Sequence, residues 1–153
     1  MRVAVQYALV AIGILAFAGA ACVHIETFLA VRLLPEGREQ LLGLGAVVLW
    51  VAAVLSIRSG AQLREAKSWQ HFSIEGAPGW LRYALFTVLG YGVINFILVP
   101  IKRRGDIGDV ERALLYLRLW SGHALFMYLA PVVAVWSALR LEQREAGDAA
   151  AGA

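Results

Sequence analysis

The side chains of this chain that could do chemistry stand inside its most apolar stretches. His24, with Glu26 two positions on, lies at the end of one such run, Asn95 lies in another, and Ser121, His123 and Met127 lie in a third. An imidazole titrates near neutrality, donates and accepts hydrogen bonds through two distinct nitrogens, and ligates metals. Two of them held at one level could therefore relay protons, hold a metal or cofactor, or bond to neighbouring polar groups as the core of a helix packing.

Position along the chain puts these residues in one layer. His24 comes eight residues before Arg32, His123 comes five residues after Arg118, and Asn95 precedes Pro100 by five and Lys102 by seven. If the first run heads toward the side from which the last one starts, all three polar groups sit at similar depth. Glu26 is about 200° around a helix from His24 at roughly 100° per residue, so it is expected to face elsewhere.

Four uses of the layer follow from the residue types. In the first, His24 and His123 are neutral and bond to Asn95, Ser121 or a tyrosine hydroxyl, which fastens helices together. In the second, the two imidazoles are axial ligands of a b-type haem held between facing helices. In the third, His24, His123 and the soft thioether of Met127 bind copper. In the fourth, His24, Glu26, Asn95 and His123 conduct protons or ions.

The elements that must position these groups are plain in the charge pattern. Val3–Ile25, Gln40–Ile57, Tyr83–Ile101 and Leu119–Leu139 contain no charged side chain, and at about 18 to 23 residues each is long enough for the roughly 30 Å hydrocarbon core of a bilayer. The expected fold is all-α, an integral membrane four-helix bundle. It forms a single domain over 1–145 with spans at about 5–31, 41–57, 80–101 and 114–139, and 146–153 is a disordered tail.

Pro35, Glu36 and Gly37 end the first span and make a short hairpin to the second. The longest connection, between Arg58 and Gly79, carries His71 and reads either as a solvated loop or as an amphipathic segment at the headgroups. Asp109 and Glu111 suit the start of the last helix, and Pro131 predicts a kink within it. On that helix Tyr116, Trp120, His123, Met127 and Ala130 form one stripe, and Gly92 and Gly122 permit close backbone approach.

Composition agrees with these elements and excludes several classes. Hydrophobic residues make up 60% of the 153 and charged ones only 16%, where soluble domains have about a quarter charged. The net charge of +3 has no basic stripe with interleaved aromatics behind it, so nucleic acid is not an expected partner. The single cysteine, Cys22, excludes an intramolecular disulfide and a CxxC redox relay, and reads as a small packing residue. The apolar run from Val3 through Val23 exceeds a signal-peptide core, so the first helix is expected to stay. Lys and Arg divide seven and seven between the two sides, so the positive-inside rule assigns no orientation.

The segment Leu117-Arg118-Leu119-Trp120-Ser121-Gly122-His123 followed by Tyr128 resembles an uncharacterised group of small four-helix bacterial membrane proteins, whose last span bears a similar SGH segment and a tyrosine. The likeness covers about a dozen residues, with Tyr91 and Asn95-Phe96 in addition. It departs from the group at Ala124 to Met127, where a tryptophan is expected. It implies a multi-pass protein of the bacterial inner membrane and attaches no activity. The functional expectation is a non-enzymatic scaffold or accessory subunit whose partners are the lipid bilayer, other membrane subunits or a second copy of the chain. A bis-histidine haem protein and a proton or ion conductor are the alternatives.

Overall fold

The computed structural model describes residues 2–29, 38–58, 74–103 and 108–152, and these form four helices. They are α1 (Arg2–Leu29), α2 (Arg38–Arg58), α3 (Gly79–Arg103) and α4 (Asp109–Ala151). Among the described residues there is no strand, and all four helices are long and apolar enough to cross a membrane. Residues 30–37, 59–73 and 104–107 lie outside the described part, so the expected 35–40 hairpin turn and the reading of the long connection with His71 lie there wholly or largely.

The chain runs up and down. α1 meets α4 head to tail, with His24 opposite Ser121 at one end and Tyr7 opposite Gln143 at the other. α2 runs parallel to α4, with Leu42 bonded to Tyr128 and Ile57 packed in the cluster that holds Leu139. α3 is antiparallel to α4. Its entry turn, Ile74 to Pro78, is pinned where the Gly76 N–H donates to Ser137 Oγ at 2.8 Å, and Asn95 reaches the Arg118 carbonyl near the opposite end. A Cβ at Gly76 would strike the Ser137 carbonyl, so only glycine fits that approach.

α4 is the hub. Buried residues make up 72% of its most apolar window against 22 to 28% for the other three helices, and it packs against each of them. The core falls into three clusters along it. Val10, Ala53 and Ile57 surround Val135 and Ala138; Ala20, Ala46 and Leu49 surround Ala124 and Tyr128; Leu81 and Leu85 meet Leu129 and Val133. Alanines at these crossings let the backbones approach closely, as small residues do between apolar helices. The outer faces of α1, α2 and α3 are apolar as well, with Leu15, Leu41 and Leu55 more than 60% exposed.

α4 stays helical through Pro131, which is buried, and continues to Ala151, over most of the stretch 146–153 that was expected to form a tail. Alanine, glutamate, glutamine and arginine dominate the stretch after Leu139, and their helix propensity carries it on. The Gly152 N–H closes the end on the Asp148 carbonyl at 3.2 Å. Cys22 lies on the exposed side of α1 and is not a packing residue.

Candidate functional site

His24 is the centre of the polar layer. It is 7% exposed, and both ring nitrogens meet protein groups: Nδ1 lies 2.8 Å from Ser121 Oγ, and Nε2 is hydrogen-bonded to the Tyr91 hydroxyl. The direction of these bonds follows from their far end. Ser121 Oγ is 2.7 Å from the Leu117 carbonyl, which can only accept, so the single hydroxyl proton is directed there. Ser121 therefore accepts from His24 Nδ1–H, and Nε2, left with its lone pair, accepts from Tyr91 O–H. The chain of donors runs Tyr91 to His24 to Ser121 to Leu117 and ties α3 to α1 to α4.

A second strand of the network ties α1 to α4 one turn beyond His24. Arg118 Nη2 donates to the Thr27 carbonyl at 2.8 Å, and Arg118 Nε reaches Thr27 Oγ1 at 3.4 Å. Thr27 Oγ1 in turn donates to the His24 carbonyl at 2.6 Å. The Thr27 carbonyl thus accepts a charge-assisted bond from α4. The same guanidinium lies 4.0 Å over the Phe28 ring.

Asn95 joins α3 to the layer from the other side. Its Nδ2 donates to the Arg118 carbonyl at 2.9 Å, and the side chain is 6% exposed. Gly122 makes this possible: a Cβ there would lie 2.6 Å from Asn95 Nδ2 and 3.5 Å from His24 Cε1. Gly92 is the matching residue on α3, where a Cβ would meet the Gly122 carbonyl at 3.9 Å. Two glycines thus bring the backbones of α3 and α4 together at the level of the histidine.

His123 takes a different side of α4. It is two residues from Ser121, about 3 Å along the axis and roughly 200° around it. Its Nδ1 is 2.8 Å from the Leu119 carbonyl, and its ring stands edge-on to Phe96 at 5.6 Å. The two imidazoles share a level, yet they do not face each other across one gap. Met127 lines a groove with His123, and Glu26 is buried at 2% exposure on α1. Among the described residues no group of three or more His, Cys, Asp or Glu side chains could hold a metal ion.

Tyr91, Thr27 and Arg118 carry much of this site and were not singled out as its members from the sequence. Arg118 looks there like the charge that begins a span. The signal that could have found it is its depth, level with the residues that follow His24 on an antiparallel first helix. Thr27 stands one turn after His24, where a hydroxyl can return to the backbone.

With the geometry described, comparison with known proteins adds no assignment: no family model, no curated protein and no solved structure matches the chain.

Proposed function

We propose that the protein is an integral membrane four-helix bundle acting as a non-enzymatic scaffold or accessory subunit, with the His24 layer as its internal fastener. The apolar outer faces of α1, α2 and α3 suit contact with lipid, with other membrane subunits or with a second copy of the chain. The observation that carries this reading is the engagement of both nitrogens of His24, ending at a backbone carbonyl. A haem or copper ligand needs a nitrogen lone pair directed at the metal, and His24 Nε2 spends its own on Tyr91. A proton conductor needs a group at the end of the path that can pass a proton on, and the Leu117 carbonyl cannot.

Purified in mild detergent, the protein is expected to be colourless, and to stay with membranes through alkaline carbonate washing. In liposomes it is expected to leave an imposed pH gradient undisturbed. A Soret band lost in His24→Ala or His123→Ala, stoichiometric copper in the purified protein, or proton leakage abolished by His24→Phe would each overturn the fastener reading.

A further inference from the structure

A groove of about 180 Å³ opens between α2 and α4, walled by Gly43, Ala46, Val47, Trp120, His123 and Met127. Its walls are apolar apart from His123 and Ser121, and Ser121 is committed to His24 and the Leu117 carbonyl. His123 is different. The Leu119 carbonyl only accepts, so Nδ1 carries the ring proton, and Nε2 of the neutral ring is an acceptor with no hydrogen-bond partner among the described residues. His123 lies five residues beyond Arg118, about 7.5 Å deeper along the helix. His123 thus brings one acceptor to the wall of an apolar groove, and on the membrane reading it lies deeper than the Arg118 that borders the span.

We propose that this groove binds a lipid-soluble hydroquinol, with its ring between α2 and α4 and one hydroxyl donating to His123 Nε2. Three observations select that chemistry. An acceptor requires a donor, and the ester carbonyls that diacyl lipids present at this depth have none to give. A cavity of about 150 Å³ accommodates a benzene ring, so the groove has room for one substituted ring and no more. Trp120 and Met127 offer the aromatic and thioether contacts that a ring prefers. An alkyl tail on the ring leaves through the open side of the groove into the acyl chains. No electron transfer belongs to the proposal.

The site rests on the membrane reading, and the test separates the two. The full chain is reconstituted in nanodiscs, which reports on membrane insertion by itself, and titrated calorimetrically with decylhydroquinol, its dimethyl ether and decylquinone, each corrected for partition into empty nanodiscs. The hydroquinol is expected to bind saturably and at least about tenfold more tightly than the ether or the quinone, since neither of these can donate a proton to His123 Nε2. His123→Phe, which keeps an aromatic ring beside Phe96, is expected to remove that discrimination. Gly43→Leu is expected to weaken all three ligands by filling the groove, where a Cβ at this position meets nothing within 4 Å. Equal affinities for the three ligands, a binding signal no larger than that of empty nanodiscs, or discrimination that survives in His123→Phe would each overturn the proposal. Failure to enter nanodiscs would overturn the membrane reading first.

Discussion

Replacing Gly122 by alanine tests whether the α3–α4 contact is built around Asn95. The added Cβ would stand 2.6 Å from Asn95 Nδ2, where ordinary contact begins at 3.4 Å, and 3.5 Å from His24 Cε1, which is acceptable. Asn95 therefore takes the whole strain. Either its amide swings away and loses the 2.9 Å bond to the Arg118 carbonyl, or α3 moves off α4 and the close approach of Gly92 is lost. Overpacking of a tight contact costs about 1 to 3 kcal/mol, and one interhelical hydrogen bond between membrane helices contributes about 0.6 kcal/mol and at most about 1.7. The expected destabilisation for Gly122→Ala is about 2 kcal/mol, within that overpacking range.

The decisive measurement is the same substitution in an Asn95→Ala background. With the amide gone the methyl group meets only the His24 ring edge, so the cost is expected to fall below about 0.5 kcal/mol, or to turn slightly favourable as alanine replaces glycine within a helix. Reversible unfolding of the four proteins in mixed micelles with increasing SDS supplies the cycle, with a coupling of about 1.5 kcal/mol between neighbouring sites. If Gly122→Ala costs the same with and without Asn95, the clash is with something else and the account of this layer is wrong.

Other substitutions probe separate parts of the fold. Tyr128→Phe removes the hydroxyl that donates to the Leu42 carbonyl at 2.8 Å, and is expected to cost about 0.6 to 1.7 kcal/mol in the same micelle assay. No measurable loss would mean that α2 is held by packing alone. Arg118→Met keeps an apolar stem but removes the guanidinium that ties the Thr27 carbonyl to α4, so amide exchange should speed up around Thr27 and remain unchanged around Val10. Unchanged exchange around Thr27 would refute the tie. Gln6 is fully buried, and neither atom of its amide has a hydrogen-bond partner among the described residues, so Gln6→Met is expected to stabilise the protein by about 1 kcal/mol. Destabilisation would show that the amide does find a partner.

The sequence by itself determined the four membrane-length helices among the described residues and the level of the polar layer. Four charge-free runs bounded by Arg2, Arg58, Arg82 and Arg140 at one end of the molecule and Glu26, Glu39, Lys102 and Arg118 at the other mark where each helix can leave an apolar environment. Counting inward from those charges put His24, Asn95 and His123 at one height. Rotation was beyond it. A polar outer face reveals the buried one, but here the exposed faces of α1 to α3 are apolar too, so both sides look alike in sequence. That α4 would be the hub, and α1 to α3 its outer wall, could therefore not be read from the pattern.

The hydrogen-bond partners depended on that same rotation. Ser121 and His123 are neighbours in sequence, yet only Ser121 turns toward His24, while His123 turns to Phe96 and the groove on α2. Arg118 reads as the border of a span and works as a tie to another helix, because its side chain is long enough to reach a carbonyl that only the antiparallel packing of α1 and α4 brings near. Sequence fixes height along a helix through the residue rise, whereas facing requires the other helices to be in place, and hydrogen bonds depend on both.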